Sequence, residues 1–471
     1  MAPYDRSVPS PAARRARPWA VRLLAGLLVA QLGAGLVSVA TLHRPASRPS
    51  PIPQAAQAPA SSQVRASAQG SPARSALDRA DGARERSVRD LLTARADGLR
   101  RHDKAAFLAG VDARSSAFLA RQGRLFDALS PVPFGSWEYG LDAAAEQPHN
   151  ADLDKRRGPS WWSPDVTLRY SLAGYDRTPT LETQHLTFVP RGGRWYLTAD
   201  DDFDSVGQDT TRGLWDGGPV VVVRGRRSLV LGHPAAGGLL RTVADAVDAA
   251  VPRVTAVWGQ DWARKVVVMV PDSQAELGRL LGSHSSLSQI AAVATAELDD
   301  KRSGYHPVGN RVIVNPPNFR RLGPLGRQVV LTHEVMHVAS RAATGPSTPT
   351  WLAEGLADYV GYRSVDVPLS VSARELRSAV RQGKGPKALP TDEDFDANAG
   401  QLGETYEQSW LAVSRLAERY GQAKLLRFYR EVGRSEGTEQ EAVSNGLRST
   451  YGLTEKAFVA DWVRTLSTRL R

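Results

Sequence analysis

The chain has 471 residues, 42% of them hydrophobic and 23% charged, values of a globular protein too long for one core, so two or three domains are expected. The net charge is +11, but it is spread along the chain. No basic stripe with interleaved aromatics is present, which argues against a nucleic-acid binder. The absence of cysteine excludes disulfides, thiolate metal ligands and a lipid-modified cysteine.

Residues 1–22 are polar and basic, with Arg14, Arg15, Arg17 and Arg22. Leu23 to Leu42 follow without a charge, a length that just spans a bilayer. The positive flank comes first, so the tail stays cytoplasmic and the remainder of the chain lies outside. Two readings stand: an uncleaved single-pass anchor, or a signal peptide cut after Ser38-Val39-Ala40, which makes the protein secreted. Residues 43–82 are rich in Pro, Ala, Ser, Gln and Arg and read as a disordered spacer with too few large apolar groups to form a core.

Residues 83–206 read as a small α+β domain. Val88, Leu91, Leu92 and Leu99 mark a first amphipathic helix. Asp103 caps a short second one, and Phe118 to Leu129 continue the helical layer. Alternation in Trp137, Tyr139, Leu141 and in Val166, Leu168, Tyr170, Leu172 marks strands. Leu186 and Phe188 pair with Trp195 and Leu197 across the turn Arg191-Gly192-Gly193-Arg194. Helices first and a curved antiparallel sheet after resembles the nuclear-transport-factor-like cone fold. Asp200, Asp201, Asp202 and Asp204 read as a solvated loop, with a divalent-cation site as the other reading.

Residues 207–218, with Gly213, Gly217 and Gly218, read as a hinge into a second domain over 219–471. There Val220–Val223 and Leu229–Leu231 form a hairpin, Leu239 to Trp258 an amphipathic helix, and Lys265–Val270 a buried strand. Ser273-x-x-Glu276 opens the next helix as a capping box. Arg311–Asn315 is a strand, and after Tyr362 helices predominate.

The chemistry lies between these. Residues 333–337 read His-Glu-Val-Met-His. On a helix His333 and His337 share one face and can grip one ion, with Glu334 beside the open position as a general base. Val329 to Leu331 and Val335, Met336, Val338 and Ala339 make this helix apolar on most sides, and burying two histidines and a glutamate without partners is costly. Thr350–Tyr362 reads TWLAEGLADYVGY and supplies Glu354 as third ligand. Asp358, one turn on, is placed to hold a ligand histidine by its other ring nitrogen.

The pair HEVMH…WLAEGLADY resembles the gluzincin metallopeptidases. WLAEG is similar to the WLNEG of the aminopeptidase N family, and the Glu-x-x-x-Asp spacing to the thermolysin-like enzymes. The gap of 16 residues between His337 and Glu354 is shorter than in the aminopeptidases, and their GxMEN segment is absent. The likeness is therefore closer to the peptidase-MA-like domains of exported bacterial proteins. The resemblance implies one Zn2+ per chain on His333, His337 and Glu354, and Glu334 as base. Glu404–Trp410 resembles the YEKG segment, which makes Tyr406 the oxyanion donor. In gluzincins an edge strand before the motif helix aligns substrate, a role this places on Arg311, Val312, Ile313, Val314 and Asn315.

The expectation is an α+β protein: a membrane-anchored N-terminus, a cone-like domain, and a gluzincin domain with a sheet lobe and a helical lobe. It would be an extracytoplasmic zinc metallopeptidase, with peptide or protein as substrate, the membrane as partner and no nucleic acid. Two alternatives remain: an envelope binding or sensing protein with a degraded peptidase domain, and a zinc hydrolase of non-peptide substrates.

Overall fold

Val266 to Val270 bury every side chain, which a strand can do only when both faces of its sheet are covered. In the computed structural model, which describes residues 72–282, 290–298, 307–396 and 400–471, that strand lies at the centre of a five-stranded sheet. The chain is mixed α+β.

The N-terminal half runs α1 (Pro72–Arg100), α2 (Lys104–Leu108), α3 (Ser116–Leu129), β1 (Phe134–Glu146), α4 (Ala151–Arg157), β2 (Pro164–Leu172), β3 (Thr180–His185), β4 (Thr187–Arg191) and β5 (Arg194–Ala199). Strands β1, β2 and β3 form an antiparallel meander. β4 and β5 form the expected hairpin, with Phe188 opposite Leu197. Asp103 caps α2 by accepting from the Ala106 N–H. Helix α1 reaches back into the predicted spacer, since residues 72–82 are rich in Ala and Arg, both good helix formers.

The second half runs β6 (Val221–Arg224), β7 (Ser228–Gly232), α5 (Gly238–Trp258), β8 (Val266–Val270), α6 (Gln274–Leu281), β9 (Ala292–Leu298), β10 (Pro307–Val314), α7 (Pro316–Arg321), α8 (Pro324–Ser340), α9 (Thr350–Tyr362), α10 (Leu369–Ser372), α11 (Arg374–Arg381), α12 (Leu402–Tyr420), α13 (Gln422–Gly433), α14 (Glu439–Tyr451) and α15 (Glu455–Arg469). The sheet order is β6-β7-β8-β10-β9, with β7, β8 and β10 parallel and both flanking strands antiparallel. Ser273 accepts from the Glu276 N–H, but the Glu276 carboxylate reaches the Asp272 N–H and His233 instead of closing the expected box.

Alternate residues of the sheet feed two cores. Val230, Val268, Val312 and Val314 join the helices α5, α8, α9 and α12. Leu229, Leu231, Val267, Met269 and Ile313 join Trp137, Leu168, Tyr170 and Leu172 of the N-terminal half. The two halves therefore share the second of these cores. The predicted hinge is a correction here. Leu214 and Trp215 are buried at 0% and 3% exposure, and the Trp215 ring packs against Phe134, Trp137 and Tyr170 with centroids 5.3–6.0 Å apart. Burial of that indole outweighs the freedom of the flanking glycines.

Among the described residues no helix is long and apolar enough to cross a membrane. Leu23–Leu42, the predicted anchor or signal, lies outside the described residues.

Candidate metal centre

Helix α8 starts at Pro324, whose missing N–H costs nothing at a first helical position. It runs buried between α5, β9 and α9, with Val329, Val330, Leu331, Val335, Met336 and Ala339 in the core. This explains how His333, Glu334 and His337 come to be 2%, 1% and 6% exposed. Helix α9 lies between α8 and α12, and two glycines allow the approach. A Cβ on Gly355 would meet the Ser409 carbonyl oxygen at 2.4 Å, and one on Gly361 the Val329 oxygen at 3.2 Å. The register delivers Glu354 and Asp358, 1% and 2% exposed, to the two histidines.

Three donor atoms converge. His333 Nε2 and His337 Nε2 are 3.0 Å apart. Glu354 Oε2 lies 3.2 Å from the first and 3.4 Å from the second. His333 Nδ1 donates to Asp358 Oδ1 at 2.7 Å, which leaves the lone pair of its Nε2 facing the other two atoms. This buried group could hold a metal ion. Glu334 accepts from the Ala294 N–H of β9. Its Oε2 is buried without a hydrogen-bond partner, as is Glu354 Oε2. Two such orphaned carboxylate oxygens are costly unless something cationic or protic meets them.

The electrostatics favour the metal-binding states of Glu354 and His337, while His333 and Glu334 are biased toward their protonated forms. Burial alone would lower His333, but Asp358, Glu354 and Glu334 outweigh it and raise it well above its ordinary value. Burial pushes Glu334 up to about 8, against the opposing pull of His333. Burial would also raise Glu354, but His337 and His333 hold it down to about 2. Burial lowers His337. Glu354 is thus ionised and His337 biased to its neutral form, the states in which each would bind a metal.

Tyr406 falls in the first turns of α12 and is 7% exposed, with its ring edge-on to Phe395 at 5.3 Å. Arg311–Asn315 is a correction. It lies in and just after β10, an interior strand between β8 and β9, so no edge is open there. Val312 and Val314 face the helical core, and Ile313 faces the N-terminal core. Arg311 makes a buried ion pair with Asp176 at 2.7 Å. Asn315 donates to the Ile290 carbonyl and accepts from Gln274, both at 2.8 Å. The acidic cluster divides: Asp201 and Asp204 are exposed, as a solvated loop requires, whereas Asp200 and Asp202 are buried and neutralised by arginines. Asp200 is held by Arg121 and Arg212, and Asp202 by Arg156 and Arg157.

Two participants escape a reading of the sequence. Ala294 of β9 donates its N–H to Glu334, and its carbonyl accepts from Arg341 Nη2 at 3.0 Å. Both groups therefore point away from β10, toward α8. Arg341, 4% exposed, sits four residues beyond His337. The alternation of Val293 and Thr295 among alanines was the only trace of this strand. No family model matches the chain, and no curated protein matches it in sequence.

Proposed function

We propose that this protein is a zinc-dependent peptidase acting outside the cytoplasm, on peptide or protein substrates. The observation that carries the reading is the convergence of His333, His337 and Glu354 on one buried point beside the unpartnered oxygen of Glu334. Tetrahedral zinc, with bonds of about 2.0–2.1 Å, holds its ligand atoms roughly 3.3 Å apart. The three separations of 3.0, 3.2 and 3.4 Å match that spacing.

Zinc in this position would polarise a scissile carbonyl and acidify a water. Glu334 would take the proton of the attacking water and pass it to the leaving amine. Asp358 fixes the tautomer of His333. Tyr406 would offer its hydroxyl to the developing oxyanion. Strand β9, at the edge of the sheet among the described strands, takes over the substrate-aligning role. Ala296, two residues from Ala294, shares its outward orientation and would pair with an extended substrate.

The test is metal analysis and cleavage of a diverse peptide library with the wild-type chain and Glu334→Gln. The expected result is about one zinc per chain in both and turnover at least about 100-fold lower in the variant. Absence of zinc from both overturns the ligand assignment. Equal turnover overturns the role of Glu334, and zinc without cleavage by the wild type overturns the peptidase reading.

A further inference from the structure

Away from the metal centre, His233 and Glu276 form a second buried pair of titratable groups, 3% and 4% exposed. His233 follows β7, and Glu276 lies in the first turn of α6. His233 Nδ1 meets the Pro219 carbonyl at 2.8 Å, and its Nε2 meets Glu276 Oε1 at 2.9 Å. Pro219 belongs to the connector between the two halves of the chain. A Cβ on Gly217 would overlap Glu276 Oε1, and one on Gly218 would lie 3.9 Å from His233 Nδ1. The connector therefore passes directly over the pair, and a glycine at 217 is what lets it come so close.

The partners fix the protons on the ring. A carbonyl oxygen only accepts, so Nδ1 carries a hydrogen. Glu276 Oε2 accepts from the Asp272 N–H at 2.8 Å, which leaves Oε1 for the ring. A neutral ring would turn the lone pair of Nε2 against Oε1. The contact at 2.9 Å is favourable only with a second proton on Nε2 or between the two atoms. The folded pair thus holds one proton more than a neutral histidine and a carboxylate carry. Two other charges bear on it: Asp272, before α6, favours the charged ring, and Arg279 of α6 favours the ionised carboxylate. From the connector, Gly217, Gly218 and Pro219 bring no charge, and Asp216 turns instead to the Gly213 N–H and Arg212. The Glu276 hydrogen bond raises His233 against the opposing pull of burial. Burial would raise Glu276, but His233 and the Asp272 N–H hold it below its ordinary value.

We propose that His233 and Glu276 form a proton-dependent latch, which fastens the connector between the two halves to α6 and lets go in alkaline surroundings. As the pH rises, the extra proton leaves for solvent, and the hydrogen bond between Nε2 and Oε1 becomes a repulsion of lone pair and carboxylate. The ring is raised in the folded chain, so the stability it contributes is complete below the ordinary histidine value and fades as the pH rises through the raised one. The carboxylate is lowered, so its contribution is complete above the ordinary glutamate value and fades as the pH falls through the lowered one. The latch is closed between these limits and opens on the alkaline side by loss of one proton.

The test compares the full wild-type chain with Glu276→Gln and His233→Leu at about pH 6 and about pH 9, on either side of the histidine range. A glutamine amide donates an N–H to the Nε2 lone pair of a neutral ring, so Glu276→Gln keeps the latch shut without the extra proton. His233→Leu removes the latch at both values. The readouts are urea unfolding followed by tryptophan fluorescence, and hydrogen exchange of residues 214–220, compared between chains at the same pH. Between the two pH values the unfolding constant of the wild type should rise at least about fivefold more than that of either variant. The connector should exchange more slowly in the wild type than in His233→Leu at the lower pH, and faster than in Glu276→Gln at the higher. Each variant gives its own comparison, so if one fails to fold the other decides. An equal pH dependence of unfolding in wild type and variant means that the pair does not hold the extra proton, and overturns the proposal. Equal exchange of the connector means that the pair does not fasten it, and overturns the proposal too.

Discussion

Asp358 shows what a single side chain would contribute to the proposed metal centre. Its Oδ1 takes the Nδ1–H of His333 at 2.7 Å, which fixes the ring orientation and strengthens the donor at Nε2. Such outer carboxylates typically govern metal affinity by 10- to 100-fold. Asp358→Ala is therefore expected to weaken zinc binding by about that factor, measured by competition with a chelator of known affinity. Asp358→Asn keeps an acceptor oxygen and should recover part of the loss. An unchanged affinity in Asp358→Ala would show that His333 needs no such partner. At this scale the sequence was highly legible. Helical spacing pairs His333 with His337 and Glu354 with Asp358, because a helix fixes which side chains share a face, and the likeness of the two segments to known zinc motifs brought the pairs together. Arg341 also lies at helical spacing, but its significance depends on a backbone carbonyl of β9, which no spacing reveals.

At the level of elements, the centre depends on how closely α9 approaches α12. Gly355 follows the proposed ligand Glu354, and a Cβ there would lie 2.4 Å from the Ser409 oxygen and 2.7 Å from both its carbonyl carbon and Val413 Cγ2. Backbone atoms cannot rotate away as a side chain can. Gly355→Ala must therefore push α9 off α12 and carry Glu354 with it. Overpacking of this kind costs about 1–3 kcal/mol, read from the denaturant midpoint, and metal content should fall in parallel. A variant with unchanged stability and zinc content would mean the two helices are not in the contact described. The order of the strands was the least legible feature. Val312, Ile313 and Val314 suit any buried strand equally well, whether interior or edge. The edge strand among the described ones, Ala292–Leu298, has alanine at three of its seven positions, which weakens its own strand propensity. Its pairing with β10 supplies what its sequence lacks.

Across the whole molecule, the sequence divides into two halves, and the structure joins them through one core. The division was legible because helix and strand patterns change around residue 210. The junction was not, because a run such as Val266–Val270 shows that both faces are covered without showing by what. One face is covered by the aromatic cluster around Trp215, and the buried Arg311–Asp176 pair locks the same junction, each side chain 5% exposed. Arg311 also lies on β10, the neighbour of the edge strand beside Glu334. The two halves should therefore unfold in a single cooperative transition, and disturbing the junction should destabilise the metal-binding half as well. Arg311→Met strands the Asp176 carboxylate in the core and is expected to cost about 3–5 kcal/mol. The double variant Arg311→Met with Asp176→Leu removes both charges and should recover most of that loss, since an apolar replacement of a buried pair is often neutral. Urea unfolding followed by tryptophan fluorescence, together with zinc release, measures both. Two separate transitions, or an Arg311→Met variant whose zinc release is unchanged while the N-terminal half melts, would mean the halves are independent domains. One transition that shifts for both signals would mean that the sheet holding the edge strand owes its stability to the half that bears no metal ligand.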